Sequence, residues 1–171
     1  MLTDLVEIKR LGEKKRAENQ KLRLHMKRHT FVERRLIQIA KEIEEQVDCT
    51  QCANCCRVAT VRLTERDVER LAKLHKISRE RFLTDYTTDD PEEGRILNRT
   101  VAGCMFLSGN DCLIYEDRPA TCQEFPHLVK GGGSSLVARM WDMPDRATYC
   151  PIVYNAMEAF KEETKFRDKS G

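Results

Sequence analysis

The sequence predicts a mainly α protein with one or two short β-hairpins, in which a small cysteine-rich domain follows an N-terminal helical extension. Three observations support this fold class. Apolar residues recur at helical spacing in several segments, two short apolar runs flank the turn Ser108-Gly109-Asn110-Asp111, and all eight cysteines follow residue 48. We therefore expect a basic helical extension over residues 1–47 and a cysteine-cluster domain over residues 48–171.

The extension is predicted to be helical because its apolar residues fall every three or four positions. Residues 2–28 begin with such a series and then become strongly charged. The segment from Phe31 to Val47 carries a clearer apolar stripe, which we expect to pack on the rest of the protein. The members of this stripe are Val32, Leu36, Ile39, Ile43 and Val47.

The cysteine-rich region alternates short helices with extended pieces. Thr64 and Asp67 stand three residues apart, as in a capping box that begins a helix, and Ser78 has the position of a second helix cap. A hairpin is expected where Cys104–Leu107 and Cys112–Tyr115 flank the turn at Gly109, which would place Cys104 and Cys112 at its two ends. Pro119 and Pro151 are each suited to open a helix.

The charge distribution bears on partners and location. The net charge of +2 is too small to indicate a nucleic-acid or membrane partner, but residues 1–30 contain nine Lys and Arg against four Asp and Glu. The basic helices are therefore a candidate surface for a protein partner, whereas nucleic acid is not expected because aromatic residues are not interleaved there. No apolar run approaches membrane-spanning length and the first residues do not resemble a signal peptide, so we expect a cytoplasmic protein.

The eight cysteines are the residues most indicative of chemistry. Four form the run C-x2-C-x2-C-C, and four follow at wider intervals: Cys49, Cys52, Cys55 and Cys56, then Cys104, Cys112, Cys122 and Cys150. Two-residue gaps allow thiolates to converge on one centre, and thiolates bind zinc and iron well. In a reducing compartment such cysteines are metal ligands rather than disulfides. All eight are therefore candidate ligands, and we expect metal to organise the domain.

The choice of metal rests on three features. Eight thiolates could form two four-ligand zinc sites, or one four-iron cluster with a second site. The C-x2-C-x2-C run with the remote pair Cys150-Pro151 is similar to a ferredoxin ligand pattern. The adjacent Cys55 and Cys56 would point in opposite directions if extended, and only one segment has zinc-module spacing. These features favour an iron–sulfur cluster over zinc.

A family resemblance rests on the cysteine run together with several later segments. These are Cys104-Met105-Phe106-Leu107, the run from Cys112 to Pro119, Cys122-Gln123-Glu124-Phe125-Pro126 and the helix start at Leu63–Asp67. Together they resemble the bacterial CxxCxxCC cysteine-cluster family of zinc- or iron-chelating domains, over roughly residues 48–155. The resemblance implies metal binding through the eight cysteines in the cytoplasm. A similar domain in bacterial flagellin lysine N-methylases implies an accessory role in an enzyme as an alternative.

The functional hypotheses follow from this set of ligands. The first is a structural, redox or metal-handling protein; the alternative is a metal-dependent enzyme, or an accessory domain of one, with an open metal position. No catalytic triad, phosphate loop or dinucleotide motif is present. Among the other residues, we expect Arg118 to be a solvated arginine at a helix start, with a charged group that tunes the cluster or recognises a substrate as the alternative. Tyr115 is expected to pack in the core near the metal, and Trp141 to be a core residue.

Overall fold

The computed structural model describes residues 1–28, 33–130 and 136–166, apart from the side chain of Val137. The chain forms two compact units. Residues 1–48 and 124–171 form one, here called the helical unit, and residues 49–123 form the other, here called the cysteine unit. The predicted assignment of residues 1–47 and 48–171 to separate domains stays a prediction.

The described residues are mainly helical, which confirms the predicted fold class. The α-helices in chain order are α1 (Leu5–Lys14), α2 (Arg16–Arg28), α3 (Glu33–Glu44), α4 (Cys49–Cys52), α5 (Asn54–Val58), α6 (Glu65–Leu74), α7 (Arg79–Tyr86), α8 (Ala120–Gln123), α9 (Leu136–Arg139), α10 (Met143–Arg146) and α11 (Pro151–Thr164). Short 3-10 helices span Tyr115–Asp117 and Met140–Asp142.

Three antiparallel two-stranded sheets are present among the described residues, where the sequence predicted one or two hairpins. Their strands are β1 (Thr87–Asp90) with β2 (Gly94–Leu97), β3 (Arg99–Thr100) with β4 (Gly103–Cys104), and β5 (Leu107–Ser108) with β6 (Asp111–Cys112). The predicted hairpin at Gly109 is therefore confirmed as β5–β6. Cys104 does not share it, because Cys104 pairs with Arg99 in the preceding hairpin while Cys112 pairs with Leu107.

The N-terminal part of the helical unit contains two helices where the sequence predicted one segment over residues 2–28. Asp4 begins α1 by accepting a hydrogen bond from the Glu7 amide at 2.8 Å, and α1 ends before Lys15. The apolar stripe predicted for Phe31–Val47 is borne by α3, and Leu36, Ile39 and Ala40 are buried. Phe31 and Val32, which the prediction included, lie outside the described residues.

The core of the helical unit forms where α3 packs against α11. Pro151 opens α11 as predicted, and Phe160 on that helix is 1% exposed. Lys161 on the same helix is also buried, and its ammonium group donates hydrogen bonds to Glu18 at 2.9 Å and to Asn19 at 3.1 Å. These bonds satisfy a buried charge and fix α2 against α11.

Trp141 is not the core residue that the sequence predicted, since 67% of it is exposed. It lies in the 3-10 helix before α10, where the neighbouring Met140 and Met143 are fully buried. The chain thus directs these two methionines inward and the indole outward. The guanidinium of Arg23 covers the indole ring, 4.1 Å from its centroid.

The cysteine unit is built around α6 and α7. The predicted capping box at Thr64 is confirmed, because the Thr64 hydroxyl accepts from the Asp67 amide while the Asp67 carboxylate accepts from the Thr64 amide. Ser78 caps α7 by accepting a hydrogen bond from the Arg81 amide at 3.1 Å. A small apolar core then forms beneath these helices from Val61, Leu63, Val68, Leu71, Ala72, Phe82, Leu97, Phe106 and Ile114.

None of the helices in the described ranges combines the length and the apolar composition that crossing a membrane requires.

Candidate metal centre

All eight cysteines lie in described parts of the chain, and all are thiols rather than halves of disulfides. Seven belong to the cysteine unit: Cys49 and Cys52 on α4, Cys55 and Cys56 on α5, Cys104 on β4, Cys112 on β6 and Cys122 on α8. Cys150 belongs to the helical unit, where it is 5% exposed and immediately precedes α11.

The C-x2-C-x2-C-C run folds as two short helices joined at Ala53. This residue has a φ of 44°, in the left-handed region, and its amide donates to the Cys49 carbonyl oxygen at 2.9 Å. Arg57 joins the two helices, since its guanidinium donates to the Cys52 carbonyl oxygen at 2.9 Å. The turn at Ala53 therefore sets Cys49 and Cys52 apart from Cys55 and Cys56.

The adjacent Cys55 and Cys56 are not in an extended segment, so the predicted opposite directions of their side chains do not apply. Both lie in α5, and the Cys55 thiol donates a hydrogen bond to the Cys56 sulfur. This bond is the largest cause that lowers the pKa of Cys56 to about 6, and the nearby charges of Arg118 and Arg57 lower it further against the effect of burial.

Cys104 and Cys112 occupy equivalent positions at the ends of their hairpins. The amide of Phe106 donates to the Cys104 sulfur, and the amide of Ile114 donates to the Cys112 sulfur. Phe106 and Ile114 each follow their cysteine by two residues, and their side chains are buried in the core of the cysteine unit. In both hairpins, the donor residue is held by its packing in the core, and its amide in turn holds the sulfur atom in position.

Gly103 allows the hairpin of Cys104 to approach the helix of Cys56. A Cβ atom at Gly103 would lie 2.6 Å from the Cys56 carbonyl oxygen and 2.7 Å from the Arg57 Cα. The Gly103 φ of +124° also disfavours a side chain at this position. Only glycine accommodates this contact between β4 and α5.

Cys122 is held by α8, which is tied to α6. The Asp67 carboxylate accepts from the Ala120 amide at 3.1 Å, and Arg70 donates to the Arg118 carbonyl oxygen at 2.9 Å. The pKa of Cys122 is raised to about 12, first by burial and then by its cysteine neighbours. Asp67 thus serves both the capping box that the sequence predicted and a tertiary contact that it did not.

Four cysteines oppose the ionisation of one another in every pair, and we call them the four-thiol set: Cys56, Cys104, Cys112 and Cys122. The charges of the other three raise the pKa of Cys122. The pKa of Cys104 is raised chiefly by burial and also by Cys56 and Cys112, and that of Cys112 chiefly by burial and also by Cys56. Their sulfur atoms therefore lie close enough to act on one another within one part of the unit.

The donor chemistry of this set suits a soft or borderline metal, since thiolates bind zinc and iron well. Within residues 1–28, 33–130 and 136–166, however, no group of three or more His, Cys, Asp or Glu side chains has an arrangement that could hold a metal ion. The four thiols thus interact electrostatically without forming a finished ligand shell. The ligand role of the eight cysteines stays a prediction.

Two residues near the four-thiol set differ from the sequence-based expectation. Tyr115 is 44% exposed rather than a core residue. The Arg118 guanidinium lies over its ring, 3.7 Å from the centroid. Its charge contributes to the lowered pKa of Cys56 and opposes the raised pKa values of Cys112 and Cys122. The position of Arg118 between Cys112 and Cys122 is the sequence signal that could have identified it.

Comparison with known proteins places the chain in a family. No curated protein and no solved structure matches it. The model of the family described as "CxxCxxCC: Putative zinc- or iron-chelating domain" matches residues 48–151, a range that contains all eight cysteines. Since this match covers more than half of the sequence, the chain belongs to the CxxCxxCC family.

Proposed function

We propose that this chain is a cytoplasmic metal-binding protein in which Cys56, Cys104, Cys112 and Cys122 ligate one four-thiolate centre with a structural or redox role. The support is geometric first: Cys104, Cys112 and Cys122 pack against one small core, and Gly103 brings the backbone of β4 against that of Cys56. In every pair of the four, the charge of one thiolate also raises the pKa of the other. Cys49, Cys52, Cys55 and Cys150 are proposed as further ligands from their sequence pattern alone.

Gathering four thiols in one part of the unit has an electrostatic cost. Each thiolate opposes ionisation of its neighbours, and burial adds to this effect at Cys104, Cys112 and Cys122. A bound cation removes this electrostatic cost. A thiol that coordinates the cation is deprotonated outright, and its negative charge is then stabilised by the cation. We expect the thiolates to draw together around the metal when it binds, since metal binding in small cysteine-rich domains is coupled to folding.

We propose that the metal is held as an iron–sulfur cluster, and that the further ligands take part in holding it beside the four-thiol set. The support is the C-x2-C-x2-C run combined with a remote cysteine before proline, a pattern similar to that of bacterial ferredoxins. Pro151 follows Cys150 at the first position of α11, a helix of 14 residues. Zinc is the alternative that the same thiolate donors would accept.

The test is anaerobic purification followed by a visible absorption spectrum and analysis of metal and acid-labile sulfide. Two variants accompany the unmodified protein. Cys122→Ser removes a member of the four-thiol set, and Val101→Ser is a control in the β3–β4 turn, where Val101 is fully exposed. We expect a coloured protein with iron and sulfide, reduced metal content in Cys122→Ser and unchanged content in Val101→Ser.

Each outcome has a distinct meaning. Stoichiometric zinc without colour or sulfide would contradict the iron–sulfur assignment and leave the four-thiolate centre standing. Full metal content in Cys122→Ser would contradict the proposed set of ligands. The absence of any metal from freshly purified, reduced protein would contradict metal binding itself.

A further inference from the structure

The turn between β5 and β6 makes contacts outside its own hairpin. It consists of Gly109 and Asn110, and the side-chain amide of Asn110 donates to the Gln51 carbonyl oxygen of α4 at 2.7 Å. The side-chain oxygen of Asn110 accepts from the guanidinium of Arg57, which also donates to the Gly109 carbonyl oxygen at 3.1 Å. Asn110 thus connects the hairpin of Cys112 to both α4 and α5.

The backbone of this turn does not require an asparagine. Gly109 takes the positive φ, +63°, whereas the φ of Asn110 is not positive, so most residue types would fit its backbone conformation. In the other two hairpins, the side chain at the turn bonds within the turn: Asp90 and Thr100 accept from amides two residues later, at 2.9 Å and 3.1 Å. The contacts of Asn110 with α4 and α5 therefore account for its amide side chain.

The helix α4 depends on donors from outside itself. It comprises only Cys49–Cys52, a single turn that is not stable alone. The last carbonyl groups of a helix have no partner within it. Here the Gln51 carbonyl accepts from Asn110, and the Cys52 carbonyl accepts from Arg57 at 2.9 Å. Asn110 and Arg57 together hold the end of α4 against the β5–β6 hairpin.

This bridge joins the backbone segments of three cysteines. Cys52 supplies one of the carbonyl oxygens, Cys56 directly precedes Arg57, and Cys112 follows Asn110 by two residues. Cys56 and Cys112 belong to the four-thiol set, whereas Cys52 is one of the further ligands proposed from sequence. The hydrogen bonds of the bridge therefore connect a proposed further ligand to two members of the set.

We propose that Asn110 is a positioning residue that holds Cys52 beside the four-thiol set, so that Cys52 ligates the same metal centre. The inference rests on the proposed function. A ligand on an unsupported single-turn helix would have to be ordered when metal binds, and the lost conformational entropy would lower the affinity. With the bridge in place, α4 is ordered before metal binds, and groups that orient metal ligands raise the affinity.

The test is alkylation of the anaerobically purified, metal-bound protein with iodoacetamide, with each cysteine read by fragmentation in a mass spectrometer. The free thiolate is the reactive nucleophile, so a thiolate bound to metal should react slowly. Asn110→Ala removes both side-chain contacts of the bridge. Asn98→Ala is the matched control, since Asn98 also donates to the carbonyl oxygen of another element, that of Asp85 at 3.2 Å in α7, a helix without cysteine.

Metal should protect Cys52 together with the four-thiol set in the unmodified protein and in Asn98→Ala. In Asn110→Ala, Cys52 should react well before the four-thiol set, which should stay protected and so report that the unit is folded. Asn110→Ala should also retain metal against a competing chelator about 10- to 100-fold more weakly, the usual effect of losing a group that supports metal ligands.

Three results would overturn the inference while leaving the four-thiolate centre standing. The first is slow alkylation of Cys52 in Asn110→Ala, as in the unmodified protein. The second is equal acceleration at every cysteine in Asn110→Ala, because Asn110 would then support the whole unit. The third is rapid alkylation of Cys52 in the unmodified protein while the four-thiol set is protected. If metal slows alkylation at no cysteine of the unmodified protein, the proposed function fails and the inference fails with it.

Discussion

In the helical unit, α3 and α11 bury an apolar core in which Leu36, Met157 and Phe160 are almost completely shielded from water. In the cysteine unit, the helices that bear cysteines are four or five residues long and the strands that bear them have two residues each. Such short elements are not stable by themselves. The first unit has an apolar core of the ordinary kind, whereas the second places half-buried thiols where further apolar packing would be expected.

The two units are therefore expected to depend on bound metal to different extents. Cys104, Cys112 and Cys122 pack against the small core of the cysteine unit, so part of its interior consists of groups that repel one another when ionised. A metal would convert this repulsion into attraction. The helical unit contains one cysteine, Cys150, within a core that is otherwise apolar.

The largest expected effect is therefore that of metal removal on the cysteine unit. Chelation should abolish slow amide hydrogen exchange in residues 49–123, because metal binding supplies about 10 kcal/mol or more in small thiolate domains. Amides of α3 and α11 should retain most of their protection, since their core contains no predicted ligand except Cys150. Hydrogen exchange read by mass spectrometry, before and after chelation, measures both regions in one sample.

Re-addition of metal to the chelated protein is the control for irreversible damage, and it should restore protection in residues 49–123. Equal loss of protection in both units would contradict the proposed difference in their dependence on metal. A chelated protein whose amides exchange as slowly as those of the metal-bound protein would contradict it as well.

A smaller effect is expected when the apolar core of the helical unit is opened. Phe160→Ala should reduce the free energy of unfolding by about 3–5 kcal/mol, because it leaves a cavity beside residues that cannot fully collapse. The α11 amides should then exchange faster while metal content stays the same. Denaturant melts, hydrogen exchange and metal analysis together provide the measurement.

Phe82→Ala is the matched substitution in the cysteine unit, where Phe82 is fully buried. It should lower metal affinity as well as stability, because folding of this unit is coupled to metal binding. Loss of metal affinity in Phe160→Ala to the same extent as in Phe82→Ala would show that the two units do not differ in the way described.

Local sequence signals predicted the helices and strands better than the tertiary contacts between them. Thr64 with Asp67, Ser78, and Pro151 marked helix starts correctly because capping depends on residues within one turn. Nothing local indicated that the stripe of α3 would pack on α11, more than 100 residues later in the chain. The hairpin of Cys104 was missed because its two-residue strands are too short to show alternation.

The site was predictable as a set of residues and not as an arrangement. Spacing identified the cysteines, but it could not show that the hairpin of Cys104 would lie against the helix of Cys56, because this contact depends on Gly103 meeting α5. The prediction for Cys55 and Cys56 assumed extended backbone, and the left-handed residue Ala53 places both in a helix instead. Arg118 was expected to be solvated, and its carbonyl contact with Arg70 of α6 is a tertiary feature that no local pattern indicates.

The contact between β4 and α5 offers a more local test of the cysteine unit. Gly103→Ala should destabilise the metal-bound protein by about 1–3 kcal/mol, the usual cost of a strained backbone, because the new Cβ meets main-chain atoms and the φ is positive. Metal affinity should fall as the hairpin of Cys104 is pushed away from Cys56. Thermal melts and competition with a chelator measure the two effects.

Gly109→Ala separates the close contact from the backbone conformation. Gly109 also has a positive φ, +63°, but a Cβ there would meet no atom within 4 Å. This variant should keep its metal affinity. If Gly103→Ala and Gly109→Ala behave alike, the approach of β4 to α5 does not position the centre.

The smallest effect is expected at Trp141, although it is the only tryptophan in the chain. Trp141→Ala should cost about 0.5–1 kcal/mol, the value of an exposed cation–π contact such as the one with Arg23. A core tryptophan would cost about 3–5 kcal/mol. Denaturant melts of Trp141→Ala beside Phe160→Ala decide between these values, and circular dichroism can follow both because it does not depend on the indole. If Trp141→Ala lowers the free energy of unfolding as much as Phe160→Ala does, the helical unit buries Trp141 in solution. The apolar core of the helical unit would then be larger than described, and its difference from the thiol-containing interior of the cysteine unit would be greater.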